Sequence, residues 1–96
     1  PTAVLVLGDK ASACAVQDAS LVLGNMLLAA SSLGLGSCWI NRAKETFERP
    51  EGKALLAKWG LAPEKYVGVG YCILGYPAQG GIKAAAPRKD GYVLQV

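Results

Sequence analysis

A small α/β or α+β domain is the fold class this chain predicts, and three observations carry the prediction. Apolar runs of strand length, Ala3–Leu7, Ser37–Ile40 and Tyr66–Tyr76, alternate with two helical stretches, giving the order strand, helix, strand, helix, strand. Glycine or proline stands at nearly every junction, where regular structure is interrupted. The first helical stretch is apolar on nearly every side, whereas a surface helix carries one apolar stripe about 100° wide.

Ala3-Val-Leu-Val-Leu7, bounded by Pro1 and by Gly8-Asp9-Lys10, reads as a buried strand. Ala11–Gln17 leads into a helix over Asp18–Leu33, with Asp18 as cap or first-turn acid. Leu21, Val22, Leu23, Met26, Leu27, Leu28 and Leu33 surround its axis. The chain offers one other convincing helix, so part of the cover for this one is expected from outside the chain. Gly24 costs up to ~1 kcal/mol against alanine inside a helix. Close approach of a neighbouring helix explains it better than simple tolerance. Gly34 suits the left-handed position past a helix end.

Ser37–Ile40 is the second strand, and Asn41–Glu45 leaves it as a loop or a single turn. Pro50 suits a first helical turn, where its missing N–H is not needed. Ala54, Leu55, Leu56 and Trp59 keep helical spacing up to Gly60. After a turn over Ala62–Lys65, Tyr66–Tyr76 is the longest strand candidate. Gly68, Gly70 and Gly75 mark bulges or close backbone approach in it. Of Tyr66, Tyr71 and Tyr76, at least two are expected to pack inward. Ala78–Ala86 reads as a loop and Tyr92–Val96 as an extended tail. Neither repeat nor linker divides residues 1–96, which read as a single domain or part of one, and spacing leaves the strand directions open.

Composition narrows the function. An apolar fraction of 52% and a mean hydropathy of +0.29 are high for a chain of 96 residues and favour burial in an oligomer. The net charge of +3 is spread over scattered lysines and arginines without interleaved aromatics, which argues against nucleic acid as a partner. Gly24 and Asn25 interrupt the most apolar run, well short of the ~20 residues of a membrane span. No secretory start is visible, and the three cysteines form neither a disulfide framework nor a zinc pattern, so a reduced cytoplasmic setting is expected. Cys38 and Cys72 sit in apolar runs, where cysteine acts as a small hydrophobe. The chain has no histidine, which excludes Ser-His-Asp and Cys-His nucleophiles and histidine metal ligands. A reaction here would rest on a bound cofactor, and a flavin fits, because the protein then only binds, orients and tunes it. Gly34-Leu-Gly36 and Gly68-Val-Gly70 do not complete a dinucleotide motif.

The all-apolar helix ending at Gly34-Leu-Gly36, the strand through Ile40, the helical stretch Phe47–Trp59, the strand Tyr66–Tyr76 and Pro87-Arg88-Lys89 carry a resemblance. Together, from Val4 to about Tyr92, the chain resembles the second half of the FMN-dependent nitroreductase family. The family's amino-terminal half, with its Arg-rich opening, has no counterpart in these residues. The resemblance implies a half-domain of that fold, with a mixed, largely antiparallel small sheet flanked by helices. It implies FMN as cofactor and the backbone of Cys38, Trp39, Ile40, Asn41 and Arg42 along the flavin ring, with an N–H at Asn41 or Arg42 toward N5. It places Arg88 on the flavin phosphate, which a guanidinium fork matches well, with Lys83 or Lys89 standing in for the lysine that relatives often carry at Ala86. It implies electron transfer from NAD(P)H to nitro-aromatic or quinone-type acceptors by a homodimer or higher homo-oligomer, with no side chain as obligatory catalytic acid or base. A second reading stays open: a non-catalytic oligomerisation module of the same fold, its flavin pocket lost. Asn41-Arg42, where many relatives have an acidic residue and glycine, and Ala86 favour that alternative. Taken without the resemblance, Asn41-Arg42 is a solvated strand end and Arg88 part of a solvated tail.

Overall fold

Antiparallel pairing around one central strand organises the chain in a computed structural model that describes residues 2–96. Pro1, read above as the boundary of the first strand, lies outside the described residues. In chain order the elements are β1 (Thr2–Asp9), α1 (Ala15–Ser32), β2 (Gly36–Ile40), α2 (Ala43–Glu48), α3 (Pro50–Lys58) and β3 (Tyr66–Gly75). The sheet order is β1-β3-β2, with β3 antiparallel to both neighbours. The sheet expected to be mixed and largely antiparallel is antiparallel at each pairing of these three strands.

A bulge decides which side chains face which layer. Val6 pairs with Gly70 but Leu7 with Gly68, so Val69 has no partner across the ladder. An extra residue in one strand resets the alternation of faces. Val67 and Val69 therefore join Cys72 on the side covered by α1, in a core with Val6, Ala19 and Leu23. Gly68 turns to the other side, where a Cβ would run into the Ala43 carbonyl of α2. Gly70 faces α1, and a Cβ there would collide with the Trp39 indole and with Leu23. The glycines of β3 thus mark close approach from both layers.

The helix α1 starts earlier than its apolar pattern suggests. The turn before it is built by short polar side chains: Ala11 N–H donates to Asp9 Oδ1 (2.9 Å) and Cys14 N–H to Ser12 Oγ (3.2 Å). Asp18 sits in the first turn rather than at the cap. At the far end Gly34, with φ +73°, donates to the Ser31 carbonyl while Leu35 N–H reaches Ala30 O at 2.9 Å. This is the Schellman arrangement that a left-handed glycine permits. α3 ends the same way at Gly60, with φ +79°.

Two expectations need correction. The stretch after β2, read as a loop or single turn, contains α2, and Phe47–Trp59 is not one helix but the end of α2 followed by α3. Arg49 between them is extended (φ −74°, ψ 153°) because the residue before a proline is pushed out of the helical region. Gly52 lets α3 fold back on α2: a Cβ there would meet the Thr46 carbonyl. The tail Tyr92–Val96 is exposed and forms no strand. From Tyr76 onward every residue is exposed, and the radius of gyration is 16.4 Å. A compact chain of this length would have about 12–13 Å. No helix among the described residues is long and apolar enough to cross a membrane.

Candidate functional site

β2 lies at the edge of the sheet, so one side of its backbone has no strand neighbour among the described residues. Its side chains divide by alternation. Trp39 turns toward α1 and lies across Gly70, with its Nε1 buried and lacking any hydrogen-bond partner. Cys38 and Ile40 point to the opposite side and are exposed, Ile40 at 37%. The expectation of Cys38 as a buried hydrophobe is therefore wrong for this chain, whereas Cys72 is fully buried. Cys38 stands opposite Ile73 in the ladder, and beside them Leu74, Tyr76 and Pro77 complete an open groove of about 310 Å³. Of the tyrosines, Tyr66 and Tyr71 are half-buried, and Tyr76 is 92% exposed.

Asn41 and Arg42 follow the strand and are exposed. Neither donates its N–H in a loop or cap hydrogen bond. The Arg42 carbonyl starts α2, accepting from Thr46 N–H (3.1 Å) and Thr46 Oγ1 (2.7 Å). Its guanidinium turns back along the helix to Glu45, with Nη1 to Oε1 at 3.3 Å. A hydrogen bond from its own backbone N–H holds the Glu45 carboxyl below its ordinary value. That bond outweighs the opposing desolvation, and Arg42 adds to it by attraction and a hydrogen bond. The Arg42 side chain is thus engaged on α2, leaving the backbone as the local donor.

Arg88 lies apart, in an open concavity with Pro87, Lys89 and Tyr92. No ion pair engages it among the described residues. The structure brings Cys38 to Arg42 together by sequence adjacency but does not join Arg88 to them in a common cavity. Sequence reasoning missed Ile73, Tyr76 and Pro77 beside Cys38. Their signal is the antiparallel register, which the pattern of apolar runs does not contain.

The donor set fits a flavin in kind. The outer edge of β2, the unengaged N–H groups of Asn41 and Arg42 and the unpaired guanidinium of Arg88 are the groups such a ligand would need. The Nitroreductase family model matches residues 1–76. The chain belongs to the nitroreductase family. A nitroreductase with bound FMN from Bacteroides fragilis superposes with a TM-score of 0.87 at 35% identity, covering 100% of this chain and 51% of that one. A nitroreductase structure from Desulfovibrio desulfuricans, in complex with FMN, gives 0.62 at 29% identity over 88% of this chain and 49% of its own. A structure from Bacteroides thetaiotaomicron, described as an NADH dehydrogenase/NAD(P)H nitroreductase, gives 0.60 at 29% identity, covering 92% and 48%. No curated protein matches. This nitroreductase-family chain therefore spans about half the length of the solved relatives it matches. Its likeness to the Bacteroides fragilis structure includes the tail that carries Arg88.

Proposed function

We propose that this chain contributes the flavin-ring side of an FMN-dependent oxidoreductase that passes electrons from NAD(P)H to nitro-aromatic or quinone-type acceptors. The observation that carries the proposal is the match along the whole chain to a structure holding FMN. FMN, when bound, supplies the redox chemistry. The chain's own work is binding and orientation. The backbone from Cys38 to Arg42 would hold the flavin ring, with the N–H of Asn41 or Arg42 as the hydrogen-bond donor to it. The indole of Trp39, wedged over Gly70, stiffens β2 from the side facing α1. Arg88 neutralises the phosphate, assisted by Lys89. The protein works as a homodimer or higher homo-oligomer, with the exposed face of α1 at the interface.

Three variants test the flavin reading. Arg88→Ala removes a charge-assisted hydrogen bond of ~1.5–3 kcal/mol and weakens FMN binding roughly ten- to a hundredfold. Riboflavin, which has no phosphate, binds the variant as it binds the parent. Asn41→Pro removes an N–H and weakens both flavins, whereas Asn41→Ala changes little. Fluorescence titration of the purified protein reads all four cases. Equal affinity of the parent for FMN and riboflavin sinks the role of Arg88.

One observation favours a second reading, a non-catalytic oligomerisation module. Leu21, Leu28 and Leu33 are about 70% exposed among the described residues, apolar surface suited to self-association. A protein that self-associates in sedimentation but takes up no FMN at millimolar flavin supports the module over the enzyme.

A further inference from the structure

At the opposite end of β3 from the Cys38 groove, one cavity gathers lysines from separate parts of the chain. Lys10 follows β1, Lys44 is in α2 and Lys53 is in α3. With Glu48, Glu64 and Tyr66 they line a space of about 190 Å³. Its rim is pinned by Lys10 N–H, which donates to the Lys65 carbonyl at 2.9 Å. None of the three ammonium groups pairs with either glutamate. The Arg42–Glu45 contact is the one ion pair among the described residues. Three cations against two carboxylates leave the cavity one positive charge in excess.

Solvated lysines normally spread apart, because like charges repel and an ammonium is strongly hydrated. Here three lysines from three parts of the chain line one concavity, together with Tyr66. Ammonium groups bind phosphate-type oxyanions as point charges, without the bidentate geometry of arginine. The volume bounds the ligand: pockets for drug-sized molecules run to about 300–1,000 Å³, and this one is smaller. We infer that the cavity of Lys10, Lys44 and Lys53 binds a small oxyanion of the size of a phosphate group. Neither Arg88 nor any residue from Cys38 to Arg42 lines it. The site is therefore distinct from the proposed flavin contacts and stands whether or not the protein holds flavin.

The test is a titration of the flavin-free protein with inorganic phosphate at constant ionic strength, followed by amide chemical shifts. Saturable shifts are expected at Lys10, Lys53, Tyr66 and Gly68. Lys10→Gln and Lys53→Gln each raise the phosphate Kd by about two- to fivefold, the range of an exposed charge contact, and the double variant raises it further. Glu64→Gln has the opposite sign and tightens binding. Lys58→Gln, on α3 but outside the cavity, leaves the Kd unchanged. Amide spectra of each variant verify that it is folded. Shifts that never saturate, shifts centred on Arg88 and Lys89, or an unchanged Kd in the double variant overturn the proposal.

Discussion

The inner and outer faces of α1 are made of the same kinds of residue and meet opposite surroundings. Ala15, Ala19, Leu23 and Ala30 are buried against the sheet. Leu21 and Leu28 on the other side are 69% and 71% exposed. The small residues explain the inner face: alanine brings the helix close to the sheet, and Leu23 fills the gap over Gly70 together with the Trp39 indole. Among the described residues no element packs on the outer face, and a Cβ built on Gly24 has no neighbour within 4 Å. Apolar composition thus reports how many sides of a helix are destined for cover. It does not report whether the same chain provides that cover. Exposed apolar surface on this scale marks an interaction face.

The contrast breaks most clearly at Leu23. Leu23→Ala removes a fully buried side chain and is expected to cost about 2–5 kcal/mol. A domain of this size holds about 5–15 kcal/mol in total, so the variant is close to unfolding. Leu28→Gln, on the same helix, is expected to stay within about 0.5 kcal/mol of the parent, as exposed positions do. Urea unfolding at concentrations too low for self-association measures both. Equal losses at the two positions would mean that the outer face is already covered within one chain.

Gly24→Leu sharpens the comparison by giving opposite signs in two measurements. In the isolated chain it meets nothing and gains up to ~1 kcal/mol of helix propensity. Across an interface it overpacks, weakening self-association by ~1–3 kcal/mol. Unfolding at low concentration reads the first effect, and sedimentation equilibrium reads the second. A variant that associates as tightly as the parent would place the interface elsewhere than on α1.

Legibility from sequence followed the same division. β1, α1 and β3 are readable because their apolar runs are long and closed by Gly8, Gly34 and Pro77, and the short β2 is readable from its place between Gly36 and the polar Asn41-Arg42. The left-handed stops at Gly34 and Gly60 were readable for the same local reason. Pro50, read as a first-turn residue, does open α3, whereas α2 before it lay in the stretch read as a loop or single turn. Ala43 and Phe47, one turn apart and both buried, were the signal for the extra helix. The bulge at Val69 lies between Gly68 and Gly70, two of the glycines that marked bulges or close approach in this strand. The exposure of Cys38 was not legible, because it depends on which sheet face is left uncovered beside Ile73, its partner in the ladder. That is a property of register, which no single segment encodes. In the candidate site, the positions from Cys38 to Arg42 came from adjacency, whereas the distance of Arg88 from them depends on a tail with no periodic pattern to read.

The smallest effect separates an exposed face that water completes from one that waits for protein. α2 buries Ala43 and Phe47 and turns Glu45 outward with Arg42. The Glu45 carboxyl is held below its ordinary value of 4.5, first by its own backbone N–H and then by Arg42. A carboxyl depressed in the folded state stabilises the fold fully above its unfolded pKa. That contribution is lost as pH falls through the folded pKa. The parent therefore loses a little stability on acidification below about pH 5, and Glu45→Gln removes that part of the slope without changing the neutral-pH midpoint by more than about 1–2 °C. Salt flattens the Arg42 share, because the pair is exposed and screened. Salt does the reverse at the outer face of α1, where sulfate strengthens apolar association. Thermal midpoints of the parent and Glu45→Gln against pH, with and without sulfate, measure both trends. If Glu45→Gln keeps the parent's full acid slope, the stabilising carboxylates lie elsewhere, and α2 owes its place to Phe47 and Ala43 alone.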